Sequence, residues 1–186
     1  MERIIAYGLA GAYQRDDLRD LDQAEYWLTY ALDLMPDYDP VGRGTIYSGL
    51  GGLVIRRLQT GEADSVTRAI GWLGQALQLL PEQMVAPRAA CRMNLGLAQV
   101  AAGVDMPGAL YNLQEALAFY ETTADTYHAG VTRLNVALVY RATNDRERSL
   151  RYADAAARSF ASIPPNAEDD LLTVQDLIAG WEEQPT

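Results

Sequence analysis

A pattern of small and apolar residues recurs four times along the chain at nearly constant intervals. Each copy has a small residue, an apolar or small residue four positions later, and an alanine three positions beyond that. Successive copies begin 45, 40 and 40 residues apart. Spacings of four and three place these residues on one face of an α-helix, where small side chains let a neighbouring helix approach closely. The copies are Ala24–Leu28–Ala31, Ala69–Leu73–Ala76, Ala109–Leu113–Ala116 and Ser149–Ala153–Ala156.

A second helix is predicted before each copy of this pattern. It carries a signature of an Asn or Gly, an apolar residue and a small residue, and a turn signal rich in Gly, Asn and Asp follows it. Each unit is therefore predicted to be a helix–turn–helix with apolar faces too wide to bury alone. Stacking of successive units would bury those faces in one continuous core. The signatures are Gly8-Leu9-Ala10, Gly49-Leu50-Gly51, Asn94-Leu95-Gly96 and Asn135-Val136-Ala137.

The third and fourth units resemble tetratricopeptide (TPR) repeats. The third does so over residues 94–116, and the resemblance as a whole extends over about residues 4–162. Units of about 40 residues exceed the usual TPR length of about 34. They are similar to the long variety found in kinesin light chains, polarity adaptors and bacterial repeat proteins associated with caspase-like proteases. In the fourth unit the resemblance lies in Arg133-Leu134-Asn135-Val136-Ala137-Leu138-Val139-Tyr140, in Asn144-Asp145 and in Ser149–Ala153–Ala156.

The resemblance implies an all-α fold, namely a right-handed α-solenoid of four TPR-like helix pairs with a C-terminal capping helix. We expect the extra residues of each long repeat to precede its first helix, in segments 40–45, 85–90 and 126–131. We expect a single domain over residues 1–186, with repeats at about 2–38, 41–83, 86–123 and 126–162 and the capping helix at 166–183.

The last helix is predicted to follow the stiff break Ile163-Pro164-Pro165, with Asn166 as its N-cap. A terminal repeat needs a cover with a polar outer side, and this helix fits that need. The alternative is that the segment folds back into the concave groove as a pseudo-ligand. Met1 falls inside the first repeat, so we expect either a fragment of a longer protein or self-association through this uncapped repeat. The apolar face of the last helix comprises Leu171, Val174, Leu177, Ile178 and Trp181.

Composition narrows the classes of partner. The net charge is −10, and all 15 cations are arginines, a pattern typical of a GC-rich, bacterial gene. Nucleic acids and anionic membranes need a basic footprint that an acidic chain of this kind lacks. The N-terminus has no apolar signal-peptide core, and no apolar run is long enough to span a membrane, so we expect a cytoplasmic protein.

Residues for catalysis are scarce. Cys91 is the sole cysteine and His128 the sole histidine, and neither occurs in a local nucleophile signature or a metal-ligand cluster. The cations Arg88 and Arg92 would lower the pKa of Cys91, but a packed small residue is the favoured interpretation. We expect neither an enzyme nor a bound metal or cofactor.

In proteins of the resembling family the first helix of each pair lines a concave groove that binds peptides. The side-chain amides of Asn94 and Asn135 both donate and accept hydrogen bonds, so they would bind a peptide backbone whatever its sequence. The alternative is that they satisfy neighbouring loop carbonyls. The predicted peptide-binding residues are Tyr7, Gln14, Arg15, Ser48, Arg56, Met93, Asn94, Leu97, Leu134, Asn135, Leu138 and Arg141.

Arginines along these helices would present guanidinium groups to carboxylates of a partner, or else pair with nearby acidic side chains of the chain itself. They are Arg15, Arg56 and Arg141, with Arg43, Arg88, Arg92 and Arg133 beside them. The expected function is protein–protein interaction, as a scaffold or adaptor that binds a peptide or partner domain in the groove. The alternative is a regulatory sensor module of a larger signalling protein that binds a small ligand or signalling peptide.

Overall fold

The computed structural model describes residues 20–59, 66–163 and 167–182, and these three stretches contain eight α-helices and no β-strand. The protein is therefore all-α over the described residues. The helices are α1 (Leu21–Asp33), α2 (Pro40–Gln59), α3 (Val66–Leu79), α4 (Val85–Ala102), α5 (Met106–Thr122), α6 (Thr126–Ala142), α7 (Arg146–Ala161) and α8 (Glu168–Glu182).

Aspartate side chains begin several of these helices. Asp105, Asp125 and Asp145 each accept a hydrogen bond from the backbone N–H three residues later, at 3.1, 3.1 and 3.0 Å. An N-cap of this kind satisfies a donor that the helix itself leaves unpaired. The turns before them contain residues in the left-handed region, Gly103 with φ 68° and Asn144 with φ 57°. The sequence-predicted turns after α4 and α6 are thereby confirmed.

The repeated small–apolar–Ala pattern lies in the core. Every one of its twelve members is buried, with exposed fractions between 0% and 1%. The predicted burial of one face of α1, α3, α5 and α7 is confirmed, because the spacing of four and three keeps these residues facing the neighbouring helices.

Glycines in the first helices face leucines of that pattern. A Cβ on Gly51 would lie 2.4 Å from Leu73 Cγ, and a Cβ on Gly96 would lie 2.6 Å from Leu113 Cγ. Both distances are shorter than real carbon–carbon contacts, so a larger residue at either position would require the leucine or the backbone to shift. In the fourth unit Ala137 and Ala153 occupy the corresponding positions. The first-helix residue there is larger than glycine, and the second-helix residue is smaller than leucine.

Successive helices pack against each other along the chain, so that α2 and α3, α4 and α5, and α6 and α7 form antiparallel pairs. Each pair also contacts the next through α3 with α4 and α5 with α6. The first helices contact one another as well, α2 with α4 and α4 with α6, so they lie side by side on one face. This is a helical repeat fold.

The last helix, α8, packs against α7 and reaches side chains of α6. Its residues Val174, Leu177 and Trp181 are between 0% and 4% exposed, and the predicted apolar face is confirmed. Trp181 Nε1 donates to Ser149 Oγ at 2.9 Å, and that hydroxyl donates to the Ala137 carbonyl oxygen at 2.9 Å. The predicted N-cap Asn166 lies outside the described residues.

The expectation that the extra residues of each repeat precede the first helix is wrong. Segments 40–45, 85–90 and 126–131 are helical and form the opening turns of α2, α4 and α6. Proline is compatible with the first turn of a helix because its missing N–H would be unpaired there anyway, which accounts for Pro40 and Pro87. The long repeat thus has long first helices. Across the described residues, none of these helices combines the length and the apolar character that crossing a membrane requires.

Candidate functional site

A cavity of about 620 Å³ opens on the face formed by the first helices. It runs from α2 across α4 to α6 and ends at the first turn of α8. We call it the groove. It is lined by Thr45, Ser48, Gly49, Gly52, Ile55, Arg56, Leu80, Met84, Pro87, Ala90, Met93, Asn94, Tyr120, Tyr127, His128, Val131 and Asp170.

Glycines leave the α2 wall of the groove almost bare. A Cβ on Gly52 would meet a single neighbouring atom within 4 Å, Asn94 Nδ2 at 3.6 Å, which is an ordinary contact. Asn94 is half-buried, and its side-chain amide makes no hydrogen bond to any part of the chain that the structure describes. An amide in this position has donors and acceptors available for a ligand that lies along α2.

The middle of the groove is apolar. Met84 and Pro87 come from the start of α4, and Met93 follows two turns later on the same helix. Ile55 on α2 and Leu80 at the end of α3 complete this part of the wall. Methionine side chains adapt to irregular shapes, so this stretch suits an apolar group of variable form.

The end of the groove next to α8 is polar. His128 Nδ1 lies 2.8 Å from Asp125 Oδ2, and the imidazole stacks on Tyr120 with ring centroids 5.1 Å apart. The hydroxyl group of Tyr127 lies beside the carboxylate of Asp170, and burial together with that carboxylate raises the pKa of Tyr127. This end therefore combines a histidine, two tyrosines and two carboxylates.

Burial and charge shift the pKa values at this end. Burial, reinforced by the charge of Asp125, raises the pKa of Tyr120 to about 12. The pKa of Asp170 is raised, chiefly by burial and further by the neighbouring charge of Asp169, against the opposing effect of the nearby Tyr127 hydroxyl group. The Asp170 carboxylate is thus a destabilised anion in the free protein.

Four of the sequence-predicted site residues line the groove: Ser48, Arg56, Met93 and Asn94. Asn135 is 4% exposed, lies away from the groove lining, and makes no side-chain hydrogen bond within the described stretches. Tyr7, Gln14 and Arg15 lie outside the described residues.

The other predicted residues are packed into the structure rather than open to the groove. Leu97 packs against the core between α3 and α4. Leu134 and Leu138 pack in the cluster that contains Val174 and Leu177 of α8. Arg141 donates to the Leu177 carbonyl oxygen at 3.3 Å and lies 5.9 Å from the Trp181 ring. Helix α8 thus occupies the side of α6 on which these residues lie.

The neighbouring arginines bind the chain itself. Arg43 donates to the Met35 carbonyl oxygen at 3.2 Å, just beyond α1. Arg88 donates to the carbonyl oxygens of Leu77 and Leu80 at 2.7 and 2.6 Å, at the end of α3.

Two further arginines contact side chains of other helices. Arg92 lies over the ring of Tyr111 at 5.1 Å, and Arg133 donates to Ser159 Oγ and Glu121 Oε1, both at 2.7 Å. The guanidinium groups of Arg43 and Arg88, in contrast, bond to carbonyl oxygens at the carboxyl ends of helices. A positive charge there also interacts favourably with the helix dipole. These arginines join consecutive helices.

The sequence-predicted site residues omit most of the side chains that form the apolar middle and the polar end of the groove. Pro87, Tyr127, His128 and Val131 lie in the extra residues of the long repeats, which were expected to precede the helices. The repeat length itself was the available signal, because added helical turns extend the same face of the first helices. Nothing in the sequence indicated that Asp170 lines the groove, because its position depends on how α8 packs against the other helices.

Cys91 is a core residue. It is 0% exposed and its thiol donates to the Leu73 carbonyl oxygen at 3.3 Å. Burial raises the pKa of the thiol to about 11 and outweighs the opposing charges of Arg88 and Arg92. In the described part of the chain, no cluster of three or more His, Cys, Asp or Glu side chains is arranged to hold a metal ion.

No protein-family model and no curated protein sequence matches this chain. Among solved structures, it is similar to the crystal structure of BtubC (BKLC) from P. vanneervenii, with a TM-score of 0.67 and 24% sequence identity. The similarity covers 88% of this chain and 66% of the BtubC chain. It supports a helical repeat fold for this protein.

Proposed function

We propose that the protein is an adaptor or scaffold that binds a peptide segment or a partner domain in the groove. The observation that carries the proposal is the groove itself, a cavity of about 620 Å³ that is bare on the α2 side and apolar in the middle. Asn94 adds an amide with unused hydrogen-bonding groups beside Gly52. A peptide backbone needs both a donor and an acceptor, and it needs close approach to the wall.

The proposal includes the architecture expected from the sequence: a right-handed solenoid of long TPR-type helix pairs with α8 as its cap. Three features support it, namely the regular burial of the repeated pattern, the contacts between successive first helices and the position of α8 against α6 and α7. The outward side of α8 carries exposed Thr173, Gln175 and Asp176 beside an exposed Leu172, so it is mostly polar, as a terminal cover requires. The similarity to BtubC is consistent with this arrangement.

A sensor module is the second candidate. The volume of the groove falls in the range of small-molecule sites, roughly 300–1,000 Å³. Its polar end also gathers His128, Tyr127 and Asp170 around one point. Under this alternative a small ligand would bind at the polar end and leave the α2 wall empty, so that changes at Gly52 would have little effect on its affinity.

The adaptor proposal can be tested by a substitution that places a side chain in the groove. A random dodecapeptide phage library is selected on the immobilised protein, and the affinities of the enriched peptides are measured by fluorescence anisotropy. Gly52→Leu places a side chain in the groove where the nearest neighbour is the flexible amide of Asn94. Gly71→Leu is the matched control, because Gly71 is an exposed helical glycine of α3, and a Cβ added there would have no neighbouring atom within 4 Å.

We expect Gly52→Leu to weaken the enriched peptides by about tenfold or more, and Gly71→Leu to leave their affinities within about twofold. Circular dichroism of both variants checks that they keep the helical content of the wild type. Failure to enrich any peptide, or equal affinity of both variants for the enriched peptides, would refute peptide binding in the groove.

A further inference from the structure

The polar end of the groove contains a carboxylate that no cation of the described residues balances. Asp170 is half-buried in the first turn of α8, and within the described stretches no arginine lies within 4 Å of it. The polar group beside it is the neutral hydroxyl of Tyr127. Burying a carboxylate without a positive partner costs free energy, and the raised pKa of Asp170 reflects that cost.

The charges around Asp170 add to the imbalance. Asp169 precedes it on α8, and Asp125 lies behind His128 at the start of α6. The arginines of α6 are engaged elsewhere: Arg133 binds Glu121 and Ser159, and Arg141 binds the Leu177 carbonyl oxygen. The α8 end of the groove is therefore negative over the described residues.

The positive side chain of the groove stands at its opposite corner. Arg56 lies in the last turn of α2, whereas the lining residues of α6 and α8 lie in the first turns of those helices. Thr45, which lines the groove near the start of α2, is eleven residues before Arg56, or about 16 Å along the helix axis. Arg56 therefore lies well away from the α8 end and does not offset the negative charge there.

We propose that the α8 end of the groove binds an arginine or lysine side chain of the partner peptide, with Asp170 as its counter-ion. This inference rests on the proposed peptide-binding function and specifies the chemistry of the peptide. Tyr127 contributes an aromatic ring that is 40% exposed beside the same carboxylate, a surface on which a cation packs favourably. The apolar side chains of Met84, Pro87 and Met93 accommodate a bulky apolar residue next to the basic one.

Charge complementarity selects this occupant over an acidic or neutral one. A basic side chain would neutralise the half-buried Asp170 and gain a charge-assisted hydrogen bond. An acidic side chain would meet the carboxylate of Asp170, with that of Asp125 behind His128, and like-charge repulsion disfavours it. The whole chain, with a net charge of −10, attracts basic partners at long range as well.

The experiment compares two isosteric substitutions on the protein. The dodecapeptide selection is repeated on Asp170→Asn and on Asp169→Asn, which remove the same charge from adjacent residues of α8. Asp169 is exposed and lies outside the groove lining. We expect the wild type and Asp169→Asn to enrich peptides with a basic residue beside a bulky apolar one. Asp170→Asn is expected to lose the preference for the basic residue and to bind the wild-type peptides about tenfold more weakly.

A second arm changes the peptide and leaves the protein intact. Replacing the basic residue of an enriched peptide by citrulline, or by norleucine where that residue is lysine, removes its charge at similar size. We expect about tenfold weaker binding to the wild type and little change for Asp170→Asn. This arm holds even if Asp170→Asn folds poorly, because the loss on the wild type is measured independently.

The outcomes separate the two proposals. Peptides whose binding depends on Gly52 but which lack a basic residue, or whose affinity is the same for Asp170→Asn as for the wild type, would overturn the role of Asp170 and leave the peptide groove in place. Absence of any Gly52-dependent peptide would overturn both.

Discussion

The packing of Gly96 against Leu113 allows the compactness of the repeats to be tested directly. In Gly96→Ala the added Cβ would lie 2.6 Å from Leu113 Cγ and 3.1 Å from the backbone oxygen of Ala109. The leucine is 0% exposed and the backbone oxygen belongs to a helix, so neither can move away freely. Overpacking of this kind costs about 1–3 kcal/mol, while the alanine recovers up to about 1 kcal/mol of helix propensity. We expect a net loss of about 1–2 kcal/mol in the free energy of unfolding.

The fourth unit suggests the compensating change. It carries Ala137 and Ala153 where the third unit carries Gly96 and Leu113. Leu113→Ala alone should cost about 2–5 kcal/mol, because it leaves a cavity in a fully buried site. In the double variant the methyl group that Gly96→Ala adds would partly fill that cavity, and the clash with leucine would be gone. We expect the loss in the free energy of unfolding of the double variant to be smaller than the sum of the two single losses by at least about 1 kcal/mol.

The assay is urea unfolding followed by far-UV circular dichroism on the four proteins of the cycle. Gly71→Ala is the matched control, because an ideal Cβ on that helical glycine has no neighbour within 4 Å. It should stabilise the protein by about 0.5–1 kcal/mol through helix propensity alone. The reasoning is refuted if Gly96→Ala stabilises the protein as Gly71→Ala does, or if the losses in the double variant are simply additive.

Three further predictions follow from single contacts. The pKa of Cys91 is raised to about 11, so only about a thousandth of the thiol should be ionised at about pH 8. We expect Cys91 to resist iodoacetamide until urea unfolds the protein, and rapid alkylation of the native form would contradict this. Trp181→Phe should lower the free energy of unfolding by about 1–2 kcal/mol, because it removes the hydrogen bond to Ser149 and some packing area, and it should do so much less when Ser149 is already alanine. An acid whose pKa is raised by folding loses its stabilising contribution as pH rises. The free energy of unfolding of the wild type should therefore fall relative to that of Asp170→Asn between about pH 4 and the raised pKa of Asp170. A difference in unfolding free energy that does not change with pH would argue against the burial of that carboxylate.

The interior of the helix pairs was predictable because it depends on local periodicity. The small–apolar–Ala pattern repeats at helical spacing, and all of its members are buried in the structure. The caps of α5 and α7 are equally local, since the aspartate side chain bonds to a backbone group only three residues away. The point at which each first helix begins could not be predicted from the sequence. Segment 126–131 contains Gly130, which weakens a helix locally, yet it is helical, and Gly130 lies so close to Phe160 that an added Cβ would be 2.7 Å from the ring.

The groove was predictable in part for the same reason. Ser48, Arg56, Met93 and Asn94 share the face of their helices that the signature indicated, and they line the cavity. Arg141 shares the corresponding face of α6, but it contacts α8, a helix more than twenty-five residues later in the chain. A helical projection specifies a direction for each side chain and contains no information about which later segment lies in that direction.

The sequence by itself determined the helical class, the repeating unit and the buried face of each second helix, because these follow from spacings of three and four residues and from the size of single side chains. Only the tertiary structure decided the length of the first helices, the burial of Leu134, the contact of Arg141 with α8, and the position of Asp170 at the end of the groove. Those features depend on contacts between residues far apart in the chain, where the free energy of packing and the desolvation of charge outweigh local preference.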